Sequence, residues 1–430
     1  MTSTEKAHKT KVITAAIGLL TCGAFTTVSQ SAGYEMESYI SDPDLIQTFQ
    51  YPWFFDAIMF LGMSIAIIPW RMESRKKAKM AMDSLKESHS LLAGNHHEVE
   101  TANSDDEGMS IAPEHEEKKK EWTPLQENLL LAIPTVFDLM ATGLGCVAMG
   151  IYHLPASIYQ MLGASIMVFT ALVSIPMFKR LPSFSQVYGI ILCIIGLTVV
   201  TWSSFKCGGD TCTDAISHIK NTLKDDQAST SDLVMGTLLV LLSQLIYAGQ
   251  FVVEETALNQ LTCTPYQVVG MEGAYGFVMM AGILCPIFAM ITPKGDGGFG
   301  DAFAENDMDA LRMIAHNPWI LVPLGIFFFA ILTYNIFGQT VTSLLTATHR
   351  TILEALRGLA VWVLGVALYY VSGGSFGEAL CGMWSLVELV GFAITVFAAM
   401  VFYDILKIPT FLRASSWQYK DEITENAVMI

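Results

Sequence analysis

Residues 139–178 read LMATGLGCVAMGIYHLPASIYQMLGASIMVFTALVSIPMF, forty consecutive positions without an Asp, Glu, Lys or Arg. A helix crosses the hydrocarbon core of a bilayer in about 20 mostly apolar residues. The stretch is therefore too long for one crossing and long enough for two. His153-Leu154-Pro155 supplies the break, because proline interrupts a helical ladder, and spans near 127–150 and 156–178 follow.

Composition extends the same reading to the rest of the chain. Of 430 residues, 52% are apolar and 15% charged, where soluble domains carry roughly 25% charge. Forty Asp and Glu against 24 Lys and Arg repel a phosphate backbone, so nucleic acid is not an expected partner. Eight Cys are too few for a disulfide scaffold of this size. A multi-spanning membrane protein with the lipid bilayer as its first partner is the expectation.

Working outward, further spans fall at 11–35, at Tyr51 to Trp70, between Arg180 and Lys206, and near 232–256, 267–292, 318–341, 350–371 and 379–403. That makes an all-α polytopic protein of ten transmembrane helices. The polar connection 205–231 divides them into a first repeat, 11–204, and a second, 232–403, flanked by segments 1–10 and 404–430. Five spans is an odd number, so the second half enters the membrane from the opposite side. Inverted repeats of this kind place a substrate site between them near the bilayer midplane.

Sidedness follows from Lys and Arg in the connections. With both termini in the cytosol, eighteen basic residues lie on the cytosolic side and five on the other. The first apolar run lacks a small-residue cleavage site, so it is expected to remain as a helix. Residues 71–125 become a cytosolic loop expected to be largely disordered. It contains Glu87-Ser-His-Ser-Leu91-Leu92, an acidic dileucine pattern that points to sorting adaptors as partners and to an endomembrane, lysosomal or vacuolar location. Cys207 and Cys212 share the central lumenal loop, where an oxidising compartment would allow them to pair.

Ionisable residues inside a bilayer are expensive and mark functional sites. Asp138, Glu272 and Glu388 lie within spans, and any of them is a candidate proton carrier. Asp56 and Glu378 sit near span ends, close enough to an interface to be snorkelling or capping groups. Arg350, Glu354 and Arg357 are spaced four and three apart, on one helical face. They form either a gate at the cytosolic end, with Glu254 and Glu255 as further partners, or a structural lock. Gln30, Gln160, Gln244, Asn335, Gln339 and the hydroxyls of Tyr159, Tyr247 and Tyr334 are so numerous that they favour a wet interior. Asp138, Gln160, Glu272 and Asn335 are the chosen cavity residues. The Gly-rich run 295–300 lacks the strand and helix of a dinucleotide site, no Walker motif appears, and the His residues of 71–125 make a poor metal site. No cofactor, metal or catalytic residue is expected.

Several segments resemble the drug/metabolite transporter superfamily, nearest to the F branch of solute carrier family 35, with its EamA-like fold. They are Asp138-Leu-Met-Ala-Thr-Gly, Gln160-Met-Leu, Val253-Glu-Glu255, Val269-Gly-Met-Glu272-Gly-Ala-Tyr-Gly-Phe277 and Ala347-Thr-His-Arg350-Thr-Ile-Leu-Glu354-Ala-Leu-Arg357. The resemblance implies ten helices in two inverted five-helix repeats, a central cavity and alternating access for a small organic solute: a metabolite, a nucleotide-sugar-like or a drug-like compound. The chain departs from its branch at Gly163, where an Arg is expected, and at Met63, in place of a Glu. The alternative from another class is a membrane scaffold or receptor acting through the 71–125 loop.

Overall fold

The computed structural model describes residues 3–94, 130–152, 154, 156–178, 184–208, 230–260, 263–291, 303–345, 347–377, 379–380, 382–402 and 405–406. Helices dominate: α1 (Ser3–Tyr34), α2 (Pro52–Ser64), α3 (Ile67–Gly94), α4 (Ala132–Gly150), α5 (Ala156–Leu162), α6 (Ile166–Phe178) and α7 (Phe184–Gly208) in the first half. The second half holds α8 (Thr230–Gln260), α9 (Pro265–Met279), α10 (Cys285–Ala289), α11 (Asp307–His316), α12 (Leu321–Leu344), α13 (Ala347–Val371) and α14 (Met383–Phe402). A short antiparallel ladder, β1 (Glu37–Ser38) on β2 (Gln47–Thr48), closes the connection from α1 to α2.

Among the described residues, eight helical stretches are long and apolar enough to cross a bilayer, and Ile158–Thr170 and Leu356–Val371 are shorter apolar helices. Their outer faces carry large exposed hydrophobic side chains: Ile191, Ile194 and Ile195 on α7, Val322, Ile326 and Phe329 on α12, Leu386 and Val390 on α14. An aqueous protein seldom exposes an apolar surface that large; in lipid it costs nothing. The chain is an integral multi-pass membrane protein.

Local chemistry sets the helix ends and breaks. Thr264 caps α9 by accepting the Gln267 amide, with Pro265 at the first position, where the missing N–H is no loss. Pro286, one residue into α10, cannot donate to the turn before it, and the preceding residues Met280–Leu284 relax into a π turn, the usual response to an interrupted ladder. Span four is likewise broken by a 3₁₀ turn at Gly163–Ser165.

Residues 71–94 correct an expectation. They continue as helix in α3 rather than losing structure at the membrane edge. Between Arg71 and Ala93 there is no Gly or Pro, and Ala, Met, Leu, Lys and Glu are strong helix formers. Glu73 and Lys77 add an i,i+4 ion pair at 2.9 Å. Residues 95–129 lie outside the described residues, and so do the side chains of Glu87, Leu91 and Leu92.

Packing follows a definite set of helix pairs. α1 lies along α12 and α13, α8 along α4 and α6, α2 along α9, α12 and α4, α9 also on α4 and α12, and α7 along α14. Small residues permit the closest of these. A Cβ at Gly273 or Gly270 of α9 would run into the backbone at Met63–Ile67, and one at Gly196 or Gly189 of α7 into the backbone of α14. Where lipid offers little hydrophobic contrast, such backbone approach is what holds helices together.

Candidate functional site

The spans enclose a cavity of about 160 Å³ near the centre of the bundle. Its wall is drawn from α1 (Thr26, Thr27, Gln30), α4 (Asp138, Thr142, Cys146), α5 (Tyr159, Gln160), α8 (Gln244, Tyr247, Gln250), α9 (Glu272), α12 (Tyr334, Asn335, Gln339) and α13 (Arg350, Glu354, Arg357). The closely packed pair α7 and α14 contributes nothing to it. Asp138, Gln160, Glu272 and Asn335, separated by up to 197 positions in the chain, are thus brought to one surface.

Several of these polar groups are held by a neighbour. Gln250 Nε2 donates to Glu272 Oε1 at 3.1 Å, and Glu272 is 5% exposed. Thr142 donates to Asp138 Oδ1 at 3.2 Å and shares a short hydrogen bond with the Tyr247 hydroxyl. Thr27 donates to Gln160 Oε1 at 3.3 Å, tying α1 to α5. Gln30 Nε2 donates to the Tyr34 hydroxyl and to Cys146 Sγ. Asn335 spends one amide proton on the Ile331 carbonyl of its own helix.

The opposite wall is basic. Glu354 Oε2 lies 3.0 Å from Arg357 Nε, and Oε1 lies 3.7 Å from Arg350 Nε. The Tyr334 hydroxyl donates to Glu354 Oε1 at 2.7 Å, while its ring lies 4.5 Å beneath the Arg357 guanidinium, a cation–π contact. Gly23 of α1 and Gly338 of α12 leave room for the two arginines, since a Cβ at either position would meet Arg357 or Arg350. Two guanidiniums and one carboxylate thus share the cavity wall with the carboxylates of Asp138 and Glu272 and the hydroxyls of Tyr159, Tyr247 and Tyr334. The cavity is bipolar.

Other predicted residues fall elsewhere. Glu388 lies partly buried on α14, away from the cavity wall. Glu254 and Glu255 belong to α8 and Cys207 to α7, but their side chains lie outside the described residues, as does Cys212. Asp56 contradicts its interfacial reading: it is 0% exposed, because α2 enters the bundle beneath the 303–317 segment instead of meeting lipid or water there.

That segment supplies a residue that no pattern in the chain singles out. Glu305 Oε2 and Oε1 accept the backbone amides of Trp53 and Phe54 at 3.0 and 2.7 Å, capping α2 from 252 positions away. Ser38 Oγ donates to the Met313 carbonyl, and Asn317 Nδ2 to that of Glu37, so the same segment is stitched to β1, just past the end of α1. Burial pushes the Glu305 carboxyl up to about 8, outweighing the two amides that pull it down. An ordinary Glu titrates near 4.5, so the folded protein binds an extra proton between those values. The associated stability is complete below pH about 4.5 and is lost as pH rises through 8. Melting temperature in detergent is expected to fall across that window in the wild type and to stay flatter in Glu305→Gln. Glu305→Ala, which removes the cap, is expected to cost about 1–2 kcal/mol.

A model of the EamA-like transporter family matches residues 110–202. Solute carrier family 35 member F6 of Homo sapiens is 32% identical over 267 residues, covering 62% of this chain and 66% of that protein. The mouse protein of the same name is 32% identical over 240 residues, 56% of this chain and 60% of its own. These matches support a place in the drug/metabolite transporter superfamily. Within that superfamily the F branch of solute carrier family 35 carries the similarity, and the alignments span less than two thirds of those relatives' own length. An uncharacterized protein of Schizosaccharomyces pombe is 24% identical over 66% of this chain and 77% of its own. Asp138, Gln160 and the 3₁₀ turn at Gly163 all fall within the stretch that the superfamily's EamA-like model matches.

Proposed function

We propose that the protein is a secondary transporter that carries a small organic solute by alternating access through this cavity. The observation that carries the reading is a cavity with an acidic and a basic wall, enclosed by spans from both halves of an otherwise apolar bundle. A charge in that setting costs several kcal/mol unless it is paired, hydrated or engaged by a ligand. Five carboxylate and guanidinium side chains around one void are hard to account for by packing alone.

The helix contacts support a repeated architecture of ten spans. Number the spans in order, with α1, α2, α4, α5–α6 and α7 as one to five and α8, α9–α10, α12, α13 and α14 as six to ten. Adding five to each member of a packed pair, and wrapping past ten, then yields another packed pair. α1 on α12 becomes α8 on α4, α1 on α13 becomes α8 on α6, and α12 on α2 becomes α4 on α9. The pairs α2 with α9 and α7 with α14 map onto themselves. A two-fold axis in the membrane plane between inverted repeats produces this exchange. Rocking α1, α2, α12 and α13 against α4, α5–α6, α8 and α9 would open the cavity to each side in turn, with Arg350, Glu354 and Arg357 as the gate.

At about 160 Å³ the cavity is smaller than the roughly 300–1,000 Å³ of sites for drug-sized ligands. The conformer therefore suits a solute of metabolite size, and a nucleotide-sugar would require it to open. The basic excess on the termini side supports a cytosolic position for both termini, and the dileucine pattern in α3 is read as an address to endomembranes.

Reconstitution into liposomes with solute mixtures tests the reading. Uptake by wild type is expected to fall at least about tenfold in Asp138→Asn and in Glu272→Gln, the loss of one interaction of roughly 1.4 kcal/mol or more. Flux that both variants retain in full would overturn the cavity as the route.

A further inference from the structure

We propose that Asp56 is a proton-binding site built into the membrane, between Glu305 at the head of α2 and Asp138 in the cavity wall. It extends the carrier reading by giving protons a place to act on the cavity, but it stands on observations of its own.

Asp56 is 0% exposed, and neither carboxyl oxygen has a hydrogen-bond partner among the described residues. Every other acidic group of the site is engaged: Glu272 by Gln250, Asp138 by Thr142, Glu354 by two arginines and Glu305 by two amides. Burying an ionised carboxylate without a partner costs far more than the fold can offset, whereas the neutral acid loses only its hydrogen bonds. A carboxyl retained there has to hold a proton in this conformer, and it must release that proton if the packing around it opens.

The charged groups that act on it among the described residues are acidic. α4 presents Asp138 and Cys146, the 303–317 segment presents Glu305, and α10 presents Cys285. α9 and α12 turn Glu272 and Tyr334 to the adjoining cavity. No Lys or Arg among the described residues acts on Asp56. Glu305, Asp56 and Asp138 thus make a series of three carboxyls. It runs from the segment capping α2, through the first turns of that helix, to the cavity. Negative charge on Asp138 strengthens proton binding at Asp56, and a cationic group docking on Asp138 weakens it. That is the physical form of exchange between a proton and a solute.

Infrared difference spectroscopy on the full-length protein in lipid nanodiscs, titrated with acid and base and exchanged into D₂O, reads this directly and measures no flux. Wild type is expected to show a protonated-carboxyl C=O band at neutral pH, at the high frequency of an acid without hydrogen bonds, and ¹³C-aspartate but not ¹³C-glutamate should move it. Asp56→Asn should abolish the band. Asp138→Asn should keep it and shift its titration to lower pH by about one unit, a tenfold weaker proton affinity. A band that survives Asp56→Asn, or that moves with glutamate labelling, overturns the site. An unshifted titration in Asp138→Asn overturns the link. If Asp56→Asn does not fold, the isotope labels and the Asp138→Asn titration still decide. Loss of solute flux with this band intact would refute the carrier reading and leave the proton site standing.

Discussion

Glu354→Ala is expected to lower stability by about 3–5 kcal/mol, the cost of leaving a buried charge without its partner. Glu354 lies between Arg350 and Arg357, at 3.7 and 3.0 Å, and the three side chains are only 12–15% exposed. Removing it also strands the Tyr334 hydroxyl that donates to Oε1. The informative comparison is a triple variant with Met at 350, Leu at 354 and Met at 357. Replacing a whole buried ionic group by apolar residues of similar size is often neutral or stabilising. The triple variant is therefore expected to melt within a few degrees of wild type in detergent while losing transport. A structural lock would give the stability pattern alone, with flux retained. The gate reading requires both.

Much of this arrangement was legible in the chain because lipid makes charge scarce. Asp138, Glu272 and the Arg350–Glu354–Arg357 group stand out in the sequence for the same reason that they face the cavity: only a polar interior tolerates them. The i,i+4 and i,i+3 spacing of the triad is a local property and survives into the structure as two ion pairs. What could not be read depends on contacts between distant segments. Asp56 sits three residues from Trp53, in a sequence that looks interfacial. Its burial is decided by Glu305 and the stitching of 303–317 to Glu37 and Ser38. Glu305 itself lies in an aperiodic run after a Gly-rich stretch, without a pattern to separate it from any loop carboxylate. Thr26, Thr27 and Gln250 were equally hidden, since hydroxyls and amides in membrane helices more often serve helix packing than line cavities. The extension of α3 past residue 71 was the reverse case: a polar composition suggested disorder, while local propensity favoured helix.

Gly273→Leu is expected to be the most damaging substitution among the span glycines, abolishing folded protein or lowering its stability by more than about 3 kcal/mol, the upper end for overpacking. The atoms that a Cβ would strike are the Ser64 amide nitrogen and the Met63 carbonyl carbon, which are backbone, along with the Met63 side chain. A rotamer change cannot relieve that contact. Only separation of α2 from α9 can, and these two helices carry Asp56 and Glu272. The contrast is Gly282→Leu on the same span, where a Cβ meets nothing within 4 Å and little change is expected. Fluorescence-detected size exclusion of the two variants measures the difference. Because α2 belongs to the first half of the chain and α9 to the second, forcing them apart acts on both halves at once. Gly273→Ala is then a graded probe. If it folds, the displacement should open the cavity wall at Glu272, which would appear as an altered solute affinity with an unchanged number of binding sites. Equal tolerance of Leu at 273 and 282 would mean that the crossing is not set by close backbone approach, and the symmetric helix pairing would lose its physical basis.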